Sequence, residues 1–285
     1  MKRRAAALLT AILCLAATFA VSAPAQAAGP AQGPKTYQIV SLGDSFAAGS
    51  TLDPAYVIDI ACDRSSLAYP TKLIGKFTQG PRVNRACLGD GVLDLATQLA
   101  GVHLSQVKII TLTIGGNDVG FGAITSCIAR AIEGGVSPEG CGSPIVQGTF
   151  GIYLTQLQVY LTQALQTIQS LAPNAKIFVS GYPLVLGTGL NPICAQQPTL
   201  VATLNEANGL LNAAIGAAVV QAAAFGVDAT YVDVVAAFAG KGYCAANPIT
   251  GYLLINQYLH PTATGQLAYA DAFNRMTKEA FTQAA

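Results

Sequence analysis

The chain has no tryptophan, only two histidines and no Cys-x-x-Cys pair. Those absences weigh against a structural zinc site or a histidine-rich metal centre; no metal and no other cofactor is expected. No internal repeat, low-complexity tract or proline-rich linker divides the chain beyond its first residues, which argues for a single domain rather than several. No long hydrophobic insertion resembling a lid stands out either. Charge is also scarce, at 10% of residues, while 52% are hydrophobic, enough for a sizeable core.

The N-terminus carries its own signature. "MKRR" is a basic start, "AAALLTAILCLAATFAV" is an apolar core, and "APAQA" places small residues at Ala25 and Ala27. This is the pattern of a secretory signal peptide over residues 1–27, cleaved after Ala27. An uncleaved membrane anchor is the alternative, since the apolar run is nearly long enough to span a bilayer; Pro24 and the small residues that follow weigh against it. Cys14 lies inside the apolar core and is poorly placed for lipid attachment. The expected mature chain, 28–285, is secreted and extracellular. Without Lys2, Arg3 and Arg4 it keeps 12 of the 15 basic residues against 14 acidic ones, a net charge of −2. That balance argues against nucleic acid or an anionic membrane as an electrostatic partner. No stable protein partner is implied, and a monomer is expected.

Six of the seven cysteines remain in the mature chain: Cys62, Cys87, Cys127, Cys141, Cys194 and Cys244. An even number in an exported chain points to disulfides, but six cysteines allow about fifteen pairings and the sequence alone selects none.

Five short runs rich in Val and Ile read as strands: Thr36 to Leu42, Arg82 to Ala86, Val107 to Gly115, Ala175 to Gly181 and Ala229 to Val234. Little alternation within them suits strands covered on both faces. Helical spacing separates them, clearest where Leu154, Leu157, Leu161, Leu165 and Ile168 recur before Pro173. An alanine-rich helix is expected from about Thr199 to Phe225 and a C-terminal helix from Thr262 to Phe281. Strands alternating with helices predict an α/β fold, a parallel sheet between two helix layers. Sites in such sheets collect at the carboxyl ends of the strands.

Four pieces of sequence meet at that edge. Ser45 follows the first strand in "VSLGDSFAAGS", "CLGDG" follows the second, "TIGGNDVGF" ends the third, and His260 in "YLHPTATGQ" precedes the last helix. A serine hydroxyl needs a base within hydrogen-bond reach to act as a nucleophile. His103 lies before the third strand, at the opposite edge, so His260 is the base by exclusion. Glycine-flanked turns let backbone N–H groups approach a tetrahedral oxyanion, and an asparagine amide adds a side-chain donor. The candidate donors are Ser45 itself, Gly89 and Asn117. Asp44 and Asp118 neighbour these residues but read as caps of local amides. Tyr69, Tyr182 and Tyr258 read as core or rim residues.

"GDSFAAG", "ACLGDG", "GGNDVGF" and "LHPTATG", in that order, resemble the four blocks of the SGNH, or GDSL-type, hydrolases. The closer likeness is to the secreted actinobacterial lipases, esterases and phospholipases of that family, and it covers about Thr36 to Phe281. The resemblance implies a flavodoxin-like three-layer α/β/α sandwich with a five-stranded parallel sheet. It implies Ser45 as nucleophile, His260 as base, and Gly89 and Asn117 in the oxyanion hole. It further implies the disulfides Cys62–Cys87, Cys127–Cys141 and Cys194–Cys244. One position departs: where the family often has an aspartate three residues before the histidine, this chain has Gln257. A backbone carbonyl near Gln257 or Tyr258 is then expected to orient the imidazole, with Asp233 and Asp271 as the distant acids that could replace it.

The function expected is a secreted carboxylic ester hydrolase acting on lipid esters, such as acylglycerols or phospholipids, through a Ser45 acyl-enzyme. Apolar stretches "YPLVLGTGL" and "GYLLINQYL" would border the site as an acyl groove or serve as ordinary loop anchors. A carbohydrate O-acetyl esterase of the same fold is the alternative, weakened by the lack of tryptophan for sugar stacking. A binding module on an inactive hydrolase scaffold is the third reading, and the intact Ser45, Gly89, Asn117 and His260 oppose it.

Overall fold

The computed structural model describes residues 37–51, 53–75, 78–122, 124, 127, 149–187, 194–245, 253–254 and 259–282. The expected signal peptide lies outside these residues, as do Cys141, Gln257 and Tyr258. The five expected strands form one parallel sheet: β1 (Ile39–Gly43), β2 (Arg82–Asn84), β3 (Ile109–Thr113), β4 (Lys176–Ser180) and β5 (Ala229–Val232). Their order across the sheet is β2-β1-β3-β4-β5, in registers such as Val40 opposite Val83 and Ile110, and Ile110 opposite Ile177. Every residue of β1 and β3 is buried, as near-continuous apolar strands of a sheet covered on both faces should be. The chain reverses its direction of travel across the sheet between β1 and β3, which opens a crevice at their carboxyl ends.

The two faces differ in chemistry. Alternate residues put Ser41, Thr111, Thr113 and Ser180 on one face. Their hydroxyls are paired, Thr111 Oγ1 with Ser41 Oγ at 2.7 Å and Thr113 Oγ1 with Ser180 Oγ at 2.7 Å. Tyr69 closes the set through Thr113 at 3.0 Å and stacks between the rings of Tyr269 and Phe273, at centroid distances of 5.4 and 4.8 Å. Tyr269 and Phe273 come from the C-terminal helix, which lies against this face. The other face meets two long helices that also pack on each other; side chains of both, Leu157 and Ile215, close over Gly115 beyond the end of β3. The result is the three-layer α/β/α sandwich.

The long helices sit close to their expected places: Thr149–Leu171, Pro198–Ala224 with a proline in its first turn, and Ala263–Thr282. The first ends two residues before Pro173, because the residue ahead of a proline is disfavoured in the α region. The first two crossovers differ from a simple strand–helix alternation. Among the described residues their α-helices are a four-residue one, Ser45–Ala48, and a five-residue one, Leu95–Leu99, and a short antiparallel ribbon (Val57–Asp59 with Arg64–Ser65) lies between β1 and β2. In chain order these five helices are α1 (Ser45–Ala48), α2 (Leu95–Leu99), α3 (Thr149–Leu171), α4 (Pro198–Ala224) and α5 (Ala263–Thr282). Gly49 ends α1 in the left-handed region, at φ 72°, and its backbone runs so close to Ala68 that no side chain would fit there. Residues 34–285 form one unit.

Candidate active site

The site begins where β1 stops. Gly43 has φ +137°, and a Cβ there would collide with the carbonyl oxygen of Thr113. Only glycine lets β1 turn this sharply beside β3. Gln98 on α2 clamps both sides of Gly43, accepting from its N–H at 2.8 Å and donating to its carbonyl at 2.7 Å. Asp44 then donates its N–H to Thr113 O at 2.9 Å and accepts the Phe46 N–H at 2.9 Å through its carboxylate. Its second carboxylate oxygen takes the hydroxyl of Tyr182, and that hydroxyl accepts the Gly116 N–H at 2.9 Å. Asp44 therefore acts on the local backbone, as its position beside a tight turn suggests. Burial pushes its carboxyl up to about 7, against the lowering effect of the Tyr182 and Phe46 bonds. Burial likewise raises Tyr182 well above the usual tyrosine range, and the nearby Asp44 adds to the shift.

Ser45, held by this corner, opens α1. Its Oγ lies 2.7 Å from Nε2 of His260. His260 is carried by a two-residue strand, His260–Pro261, paired antiparallel with Leu253–Leu254. Leu259 just before it is buried at φ 63°, a conformation unusual for a branched residue and one that aims the next side chain. The imidazole leans on the Phe46 ring at 5.1 Å. The first turn of α5 is tied to α1 by Gln266, which accepts the Tyr69 N–H at 2.8 Å and donates to Phe46 O at 3.1 Å. Base and nucleophile, more than two hundred residues apart in sequence, are thus braced against each other.

Gly89 and Asn117 reach the same place from β2 and β3. The disulfide Cys62–Cys87 stands two residues before Gly89, which turns at φ +85°. Asn117 donates through Nδ2 to the carbonyl of Asp90 at 2.9 Å, and the Asp90 carboxylate accepts from Gln98 at 2.7 Å. Among the described residues, no acceptor takes the N–H of Ser45 or of Gly89. Ser45, Gly89, Asn117 and His260 line one cavity of about 300 Å³, walled by Phe46, Leu88, Phe121 and Leu259. Asp118 caps the Val92 N–H at 3.0 and 3.2 Å, and its carboxyl is raised by burial.

Other expected residues fall elsewhere. His103 is exposed at the amino end of β3 and pairs with Ser105 Oγ at 3.1 Å. Asp233 caps the Val235 N–H at 2.8 Å and Asp271 is exposed on α5; neither carboxylate hydrogen-bonds His260. The carbonyl expected near Gln257 or Tyr258 lies outside the described residues, as do most of "GYLLINQYL" and the end of "YPLVLGTGL". Cys194–Cys244 is the second disulfide seen in full, and Cys127 is also disulfide-bonded. Sequence reasoning passed over Asp90, Gln98 and Gln266, and saw in Tyr182 only a core or rim residue. Gln266 directly follows the block that carries His260, and Asp90 lies inside the one that carries Gly89. Nothing in local spacing marks Gln98 or Tyr182, because each acts through a partner far away in the chain.

A hydroxyl against an imidazole, beside unspent backbone donors in an apolar cavity, is an arrangement for acyl transfer. Relatives carry the same shape. A lipase of Streptomyces rimosus is 33% identical over 277 residues, covering 93% of this chain and 95% of that protein. Lipase 1 of Streptomyces coelicolor is 29% identical over 259 residues, covering 90% and 91%. Two crystal structures each superpose with a TM-score of 0.67 over 83% of this chain and 98% of the other: an extracellular lipase from Streptomyces rimosus at 29% identity and phospholipase A1 from Streptomyces albidoflavus NA297 at 28%. Residues 41–268, from within β1 into α5, match the GDSL-like Lipase/Acylhydrolase family, and this chain belongs to that family.

Proposed function

We propose that the protein is a secreted serine carboxylic ester hydrolase of lipase or esterase type, a single hydrolase domain over residues 28–285 released from a signal peptide at 1–27 and working as a monomer without a cofactor. The observation that carries this reading is the 2.7 Å contact between Ser45 Oγ and His260 Nε2 inside the cavity lined by Gly89 and Asn117. His260 takes the Ser45 proton as Oγ attacks the ester carbonyl carbon. The resulting oxyanion is held by the N–H groups of Ser45 and Gly89 and the amide of Asn117. Collapse expels the alcohol, which leaves with the proton from His260, and an acyl-Ser45 ester remains. His260 then activates a water that attacks this ester, and a second collapse returns the serine and releases the acid. Gln257→Ala should be mild, because a neutral glutamine side chain cannot supply the charge that an orienting aspartate would.

The substrate is a lipid ester. The Phe46, Leu88, Phe121 and Leu259 walls suit an acyl chain, and the relatives are named lipase and phospholipase A1. Initial rates on nitrophenyl esters from acetate to palmitate, with Ser45→Ala and His260→Ala as controls, test the reading. Turnover rising to medium or long chains and nearly abolished in both variants is the expected outcome. Substantial turnover by either variant would sink the mechanism, and activity confined to acetate would move the substrate to O-acetyl groups on saccharides.

A further inference from the structure

The ribbon of Val57–Asp59 and Arg64–Ser65 has its polarity reversed. A strand on a protein surface ordinarily turns apolar side chains inward and charged ones to water. Here the charges fold inward. Asp59 accepts the N–H groups of Ala61 and Cys62 at 3.0 and 3.3 Å and pairs with Arg64, which donates to the carbonyl of Ala86 at 3.0 Å. The side chains of Arg64 and Asp59 are only 17% and 33% exposed. Ile58 and Ile60 point the other way, at 65% and 92% exposure, with Tyr56 at 43% beside them. Exposed apolar groups grouped in this way mark an interaction surface more often than scattered ones do.

The ribbon is fastened to the rim of the cavity. Cys62 is bonded to Cys87, and the Leu88 N–H donates to the Cys62 carbonyl at 3.0 Å. Leu88 is 51% exposed and also lines the cavity with Gly89. Leu88, at the cavity, is thus tied directly to Cys62, two residues beyond the exposed Ile60.

We propose that Ile58, Ile60 and Leu88 form a lipid-docking face that seats the enzyme on the surface of a lipid aggregate, with the cavity mouth against the acyl layer; this rests on the ester-hydrolase reading of the cavity. A protein partner or a second copy seated on this face would stand across the entrance, whereas a lipid surface is itself the source of the ester. Arg64, the one cation of the ribbon strands, is spent on Asp59 and Ala86. Attachment is thus by apolar insertion and extends to zwitterionic lipid.

The missing tryptophan makes the test direct, since Ile60→Trp introduces the sole indole of the chain. The mature protein carrying Ser45→Ala, which leaves lipid intact, is mixed with phosphatidylcholine vesicles. The introduced indole should shift its emission to the blue, at low and at high salt alike. In the same background Ile58→Glu with Ile60→Glu should weaken vesicle co-sedimentation by about tenfold or more. With Ser45 present, the same pair should leave kcat/KM on soluble nitrophenyl butyrate unchanged, which also reports correct folding. An indole that does not respond to vesicles, or a Glu pair that co-sediments like its parent, would overturn the proposal. So would self-association that is lost in the Glu pair without any vesicle binding, which would assign the face to a second copy. If the wild-type protein fails to hydrolyse the soluble ester, the catalytic reading fails while vesicle binding is still measured on its own.

Discussion

Asn117 holds one amide hydrogen on the Asp90 carbonyl and so keeps a fixed orientation toward the cavity. As the proposed side-chain donor to the oxyanion it should contribute most in the transition state. Asn117→Ala is expected to lower kcat by about 10²–10³, roughly 2.7–4 kcal/mol, with little change in KM; a rate within about threefold of wild type would make the residue purely structural. Asp44 allows a different test. Its carboxyl rises from 3.8 to about 7 on burial, so the native state holds a proton that the unfolded chain releases. The stability this confers is complete below pH 3.8 and is lost as the pH rises through about 7. Relative to Asp44→Asn, which cannot ionise, the wild type should lose up to about 1.4 kcal/mol per pH unit between about pH 4 and 7 and run parallel above about pH 8. Urea midpoints at a series of pH values measure it, and curves parallel throughout would mean an ionised Asp44 in the native state.

Among the elements, α5 starts three residues after His260 and ties that part of the chain to α1. Its anchor is Gln266, whose side chain is fully engaged by Tyr69 N–H and Phe46 O in a buried site. Gln266→Ala leaves the Tyr69 amide and the Phe46 carbonyl without partners, at a cost of about 1–3 kcal/mol each. It should lower the unfolding midpoint and also reduce kcat, because the imidazole loses its brace against α1. Thermal melts and steady-state rates check both effects, and an unchanged midpoint would show that Gln266 is not the anchor. The small helices α1 and α2 matter in the same way. They are too short to be stable alone and are held by Gly43, Asp44 and Gln98, which is why helix propensity did not reveal them.

For the whole molecule, the disulfides act on both stability and geometry. Cys62–Cys87 and Cys194–Cys244 span 25 and 50 residues, and closing such loops restricts the unfolded chain by about 2–4 kcal/mol each. Their functional weights should differ. Cys62–Cys87 stands two residues from Gly89 and fastens the ribbon, so removing it with paired Cys→Ala changes should lower kcat by about 10–100-fold through misplacement of Gly89, the proposed oxyanion donor. Removing Cys194–Cys244 should lower the melting temperature with a smaller change in kcat. Equal kcat losses in the two pairs would show that neither bridge acts through Gly89.

Much of the fold was legible in advance because each strand is a short, almost continuous apolar run and each long helix repeats its apolar residues at three and four positions. Those are local signals, and the parallel order follows from their alternation. The four blocks holding Ser45, Gly89, Asn117 and His260 were legible because glycine, proline and polar residues cluster at strand ends where backbone turns need them. The irregular first two crossovers were not, since their shape depends on a disulfide and on side chains such as Gln98 that cap backbone groups far away. By itself the sequence determined the residue types available for chemistry: one serine on a glycine corner, one histidine not excluded by topology, and no tryptophan. Only the tertiary structure decided that Tyr182 joins Asp44 to Gly116, that Gln266 braces α5, and that Ile58 and Ile60 face outward. The physical reason is that period and composition describe one element at a time, whereas these contacts arise when distant elements bury their backbones together and each buried polar group must find a partner.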